Sequence, residues 1–145
     1  MVRPSTSPDA DGGPIKLALD ARRGHLFIFG VDGGYRMVRA TDGAVLSHGA
    51  IGAVCGAWGA IVVDGTRGHL FGLCLYMDRE QRLAGGKVVV LDTRTGAVLR
   101  TGDLGASPVA LALDERTGRV AVLDSDALYL FGPRLPTPAT PRRRA

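Results

Sequence analysis

Asparagine is absent from this chain, and lysine supplies only Lys16 and Lys87 of its eighteen basic residues. Both residues have AT-rich codons, so a GC-rich coding sequence explains the shortage more simply than selection against heat-labile amides. Cysteine occurs twice, as Cys55 and Cys74, with no zinc-ligand or redox spacing between them. A disulfide is one reading, but the expectation is two small buried thiols in a reducing compartment. Aromatic residues make up only 6% of the chain. No apolar run is long enough to span a bilayer, so no membrane partner is expected. Met1 to Pro14 lacks the apolar stretch of a signal peptide, which for the chain as written implies a cytoplasmic protein. A longer secreted parent would change that expectation.

Motifs that carry chemistry are also missing. No serine sits in a Gly-x-Ser-x-Gly setting. Gly33-Gly34 and Gly85-Gly86 lack the strand-to-helix context of a phosphate loop. General acid–base work would need paired carboxylates or a histidine held by a carboxylate, and the recurring Asp20, Asp64 and Asp114 are accounted for as turn residues. The chain is therefore read as leaning away from enzymes, with no catalytic residue, no metal ligand and no cofactor.

A net charge of +4 suggests nucleic acid until the charges are located. Arg134, Arg142, Arg143 and Arg144 all follow the last apolar run. Without them the remainder is close to neutral, so the charge describes a tail and the case for nucleic acid is weak. Residues 133–145 are rich in Pro, Thr and Arg and are expected to be disordered, as is the segment 1–13.

Glycine, by contrast, is abundant at 21 residues. Without a Gly-X-Y period, that number implies many tight turns and many short strands. The turns repeat. Leu17-Ala-Leu-Asp-Ala-Arg-Arg-Gly-His-Leu-Phe27 aligns with Val62-Val-Asp-Gly-Thr-Arg-Gly-His-Leu-Phe71 and with Leu111-Ala-Leu-Asp-Glu-Arg-Thr-Gly-Arg-Val-Ala121. In each, an aspartate precedes a glycine by four residues: Asp20 and Gly24, Asp64 and Gly68, Asp114 and Gly118. An aspartate carboxylate accepts backbone N–H groups just ahead of it, and glycine supplies the positive φ of a short hairpin loop. A second hairpin element occurs twice, from Thr41 to Gly52 and from Thr95 to Gly105.

Each unit then reads as four strands, A to D. The first unit has them near 15–19, 25–29, 35–40 and 44–48, and the second near 59–63, 69–76, 87–92 and 97–101. The third has 109–113, 119–123 and 127–131 and no fourth strand. Segments such as Val109 to Leu113 and Val88 to Leu91 are apolar on both faces, as sheets sandwiched between neighbours would be. A buried parallel sheet would also give apolar runs, but it needs helical crossovers, and the connections here are short. The turn aspartates recur at spacings of 44 and 50 residues, near the period of propeller blades. The fold class is thus all-β, a partial β-propeller of about three antiparallel blades (14–52, 53–105 and 106–132), the last incomplete.

The pattern Pro108-x-Ala-Leu-Ala-Leu-Asp114 with Thr117-Gly-Arg-Val-Ala-Val122, and the stretch from Lys87 to Thr101, resemble the YVTN-type bacterial β-propeller repeats. These are similar in pattern to the NHL and lactonase-like propellers. The resemblance covers about 14–132 and implies blades, while such propellers host enzymes, sensors and binding scaffolds alike.

In a propeller the A–B and C–D turns share one face of the disc, and the B–C loops and D–A connectors share the other. The second unit is nine residues longer than the first between its aspartate and its closing glycine, and the excess is assigned to a B–C loop from Met77 to Gly86. Its D–A connector near Ala50 to Trp58 is also lengthened. Loops that break a repeat on one face mark where ligands bind. The candidate binding residues are therefore Trp58, Asp78, Arg79, Glu80 and Arg82, with Trp58 as a stacking surface. The plainer alternative is a solvated loop with self-compensating charges and a tryptophan that fills a packing gap. His25 and His69 hold equivalent repeat positions and read as structural.

Propellers close with roughly four to eight blades. Three cannot, so two sheet faces would be left bare. The expected partner is a second copy or another propeller chain, docked through blade faces. The functional expectation is a non-catalytic binding or scaffold module; the competing one is half, or a remnant, of a lactonase-like or quinoprotein-like enzyme. No small-molecule ligand can be named from the residues.

Overall fold

Three corners of the repeat set the whole architecture. In the computed structural model, which describes residues 14–30, 34–50, 57–77, 79–80, 82–104, 110–124, 127–132 and 142–143, each Asp-to-Gly segment joins two antiparallel strands. Gly24 N–H donates to the Asp20 carbonyl at 2.9 Å, Gly68 to Asp64 at 2.9 Å and Gly118 to Asp114 at 2.7 Å. The three glycines have φ of 67°, 75° and 76°, a left-handed conformation that a Cβ disfavours. The aspartate carboxylates hold the corner from the other side by accepting N–H groups two and three residues ahead, as at Arg22 and Arg23 or Thr66 and Arg67.

The strands are β1 (Pro14–Asp20), β2 (His25–Gly30), β3 (Gly34–Arg39), β4 (Val45–Ala50), β5 (Ala57–Asp64), β6 (His69–Met77), β7 (Leu83–Asp92), β8 (Val98–Leu104), β9 (Ala110–Asp114), β10 (Arg119–Leu123), β11 (Ala127–Phe131) and β12 (Arg142–Arg143). They form three four-stranded sheets in chain order, β1 to β4, β5 to β8 and β9 to β12. Every pairing is antiparallel between sequence neighbours. No helix occurs among the described residues. The chain is a partial β-propeller.

Two differences from the sequence reading have plain causes. The segment 77–86 is not a long loop. Its far end joins β7, with Tyr76 opposite Gly85 and Leu75 opposite Gly86, so part of the segment lengthens a hairpin, and Arg79, Glu80 and Arg82 follow at its tip. Pairing satisfies backbone groups that a loop would leave to water. The third sheet, for its part, does have a fourth strand, because Arg142 and Arg143 of the expected disordered tail pair with Leu128 and Ala127. The outer edge of β11 offers unpaired N–H and C=O groups, and any extended segment can use them. At two residues, β12 is far shorter than the six of β4 or the seven of β8, so the third blade stays abbreviated.

Inner strands β1, β5 and β9 lie side by side, and the sheets stack through two apolar seams. The first joins Phe27, Phe29, Tyr35 and Met37 of the first blade to residues of the second that include Trp58, Leu70, Val89 and Leu91. The second joins Phe71, Leu73 and Val90 of the second blade to Val120 and Val122 of the third. Cys74 is fully buried at the first seam. It is disulfide-bonded, not the free thiol expected from spacing, since pairing depends on proximity in space. The other cysteine, Cys55, lies outside the described residues.

These seams predict a sharp contrast in urea denaturation. Phe27→Ala, at a fully buried ring, should cost about 3–5 kcal/mol. Leu17→Ala, on the uncovered side of the same sheet, should stay within about 0.5 kcal/mol. Equal losses would contradict the assigned seam.

Candidate functional site

The densest polar cluster sits where the A–B turns of successive blades meet. Asp20 is fully buried, yet it accepts from the backbone of Arg22 and Arg23, from the Arg23 guanidinium at 2.8 Å and from the Thr93 hydroxyl of the second blade. His25 Nδ1–H donates to the Thr93 carbonyl at 2.6 Å. Arg23 also reaches across the seam to the Gly65 carbonyl at 2.7 Å. One guanidinium thus braces its own turn and grips the next.

The second seam repeats the device. Arg67 donates to Asp64 at 3.0 Å and to the Glu115 and Arg116 carbonyls of the third blade at 3.0 and 3.3 Å. Its side chain lies so close over Gly118 that a Cβ there would fall 2.6 Å from Nε. Tyr35 adds a further link across the first seam, its hydroxyl donating to the Gly96 carbonyl at 2.8 Å. Burial raises the pKa of that phenol, so it remains a donor.

Burial pushes the Asp20 carboxyl pKa up, but the hydrogen bonds from Thr93 and Arg23 outweigh it and hold the group below its ordinary value. His69 holds the position equivalent to His25, and its Nδ1 is buried without a hydrogen-bond partner. Desolvation lowers its pKa, with Asp64 and Asp92 opposing and Arg94 and Arg67 reinforcing the shift. Nothing here is arranged as a nucleophile and base. The network holds turns together.

Of the residues proposed from sequence, Trp58 is buried, while Arg79, Glu80 and Arg82 are exposed. Trp58 is only 4% exposed and packs on Phe29 with ring centroids 4.6 Å apart. A Cβ on Gly72 would fall 3.0 Å from its ring, so that glycine makes room for the indole. Trp58 therefore fills the seam and offers no open stacking face. Arg79 is exposed at the hairpin tip, and Glu80 and Arg82 pair with each other at 3.4 Å while remaining 65% and 74% exposed. Such a pair contributes at most about 1 kcal/mol. Asp78 lies outside the described residues. The described cleft is on the other side of the disc, about 600 Å³ and wide open, lined by Val62, Val63, Leu113, Asp114, Glu115 and Arg116. Among the described residues no group of three or more His, Cys, Asp or Glu could hold a metal, and no helix is long and apolar enough to cross a membrane.

The bridging role of Arg23 and Arg67 was not drawn from the sequence. Its signal was present, since both stand three residues after a turn aspartate.

No family model matches the chain, and no curated protein does. Solved structures do. The β-propeller domain of Cps50 (Swd1) from Myceliophteria thermophila superimposes with a TM-score of 0.62 at 15% identity, over 88% of this chain and 40% of that one. The WD40 domain of coronin from Toxoplasma gondii does so with a TM-score of 0.55 at 19% identity, over 84% and 32%. The likeness establishes a propeller-type repeat fold, and the chain spans less than half the length of either match. The YVTN-type resemblance rests on the repeat residues alone.

The buried acid and histidine set a pH dependence of one sign. Asp20 titrates below 3.8 in the fold, so its contribution is present above that value and is lost as the pH falls through the folded pKa. His69 titrates below 6.5 in the fold, so it too favours the fold at higher pH and opposes it on acidification. Thermal melts from pH 7 to pH 3 should show a falling Tm. Asp20→Asn should flatten the lower part of that curve, and an unchanged slope would rule out the assignment.

Proposed function

We propose that the chain is a non-catalytic β-propeller module, a binding or scaffold domain completed through its blade faces by self-association or within a larger propeller. One observation carries this reading. Leu17 and Leu19 on the inner strand of the first blade are 64% and 50% exposed, although their counterparts Ile61 and Val63, and Leu111 and Leu113, pack into the two seams. Apolar residues at seam positions, left in water, mark a surface made for contact. Arg79, Glu80 and Arg82, exposed at the tip of the second blade's hairpin, would lend such an assembly a polar rim.

The competing reading, half or a remnant of a lactonase-like or quinoprotein-like enzyme, requires carboxylates or histidines that converge near the axis. Among the described residues the buried carboxylates are Asp20, Asp64 and Asp124; the first two serve turns and seams, and Asp124 accepts from the Ala127 N–H at 2.7 Å.

Two measurements test the proposal together. A panel of lactone and ester substrates with added divalent cations should give no turnover above blank, and clear turnover would overturn it. The apolar dye ANS should fluoresce on the wild-type chain and lose most of that signal in Leu17→Glu/Leu19→Glu, whose Tm should change little. A signal unaffected by those substitutions would place the open surface elsewhere.

A further inference from the structure

Both internal seams are built with a direction. The forward blade face supplies an arginine three residues after the turn aspartate and a phenylalanine seven after it: Arg23 and Phe27 at the first seam, Arg67 and Phe71 at the second. The receiving face supplies turn carbonyls, at Gly65 or at Glu115 and Arg116, and two apolar residues one and three before its own aspartate. The sequence Asp-x-x-Arg-Gly-His-Leu-Phe is shared letter for letter by the first two blades.

The third blade departs from it at both contact positions. Thr117 replaces the arginine and Ala121 the phenylalanine. Thr117 still serves its own corner, since its hydroxyl bonds the Asp114 carboxylate and lowers that pKa, but it is too short to reach another blade. The first blade, in contrast, has a complete receiving face. Leu17 and Leu19 stand at the apolar positions, and Ala21 and Arg22 hold the carbonyl positions. A Cβ on Gly24 would meet no atom within 4 Å, whereas the equivalent Gly118 lies under Arg67.

We propose that the face of β1 receives a propeller blade from outside this chain, one whose A–B turn carries arginine three and phenylalanine seven residues after its aspartate. A second copy of the chain does not fit, because its first two forward faces are already used and its third lacks both groups. The inference rests on the reading of the chain as a module completed through blade faces, and it selects the partner.

Grafting the missing groups tests it. The variant Thr117→Arg/Ala121→Phe gives the third blade the forward face of the other two. Adding Leu17→Glu/Leu19→Glu blocks its own receiving face and leaves a donor-only chain. By analytical ultracentrifugation the donor-only chain should form a 1:1 complex with wild type, at least tenfold tighter than wild type binds itself. It should not bind the Leu17→Glu/Leu19→Glu chain. Donor chains with cooperative melts that fail to bind wild type would overturn the proposal, as would wild type that dimerises as tightly without the graft. If Ala121→Phe prevents folding, Thr117→Arg on its own exposed turn carries the same comparison with a smaller gain. Binding failure with the dye result intact removes only the partner assignment. Catalytic turnover would remove the underlying reading instead.

Discussion

A buried aspartate that shares one guanidinium with the next blade is the constraint on which the stack depends. Removing a carboxylate from water is costly unless its hydrogen bonds are replaced. Asp20 and Asp64 meet that condition with turn N–H groups and an arginine, and the arginine is held in place because it also bonds carbonyls across the seam. Local corner and long-range packing are therefore one structure. The third corner shows the converse: Asp114 has the same turn geometry but no partner blade among the described residues, and it is exposed.

The apolar seams follow from this spacing of corners. Once an Asp-to-Gly turn fixes the register of two strands, alternate residues commit to opposite faces. Phe27 and Ala18 then face forward, and Leu26 and Leu19 face back. Both sets are apolar because an inner blade has a neighbour on each side. That property makes a terminal blade conspicuous.

The corners, the hairpins and the three-sheet order were legible because each has a local signal in the chain: an aspartate, a glycine and apolar runs at fixed offsets. What escaped depends on distance in space. The disulfide at Cys74 has no spacing signature, and β12 pairs with β11 across a stretch of chain whose composition argued for disorder. The hairpin lengthened at Leu83 to Gly86 was misread because glycines suggest loops, even where strands can use them. Trp58 was read both as a ligand platform and as packing, and only its neighbours Phe29 and Gly72 decide for packing.

Trp58 is also the chain's single tryptophan, wedged between the first and second sheets. Tryptophan emission from this protein, excited at wavelengths where its tyrosines do not absorb, is therefore a gauge of one junction. Separation of the first two sheets would alter its colour and intensity, while loosening between the second and third would pass unseen in that channel. An optical transition would time the parting of one half of the molecule, and a backbone probe would be needed to learn whether the other half follows.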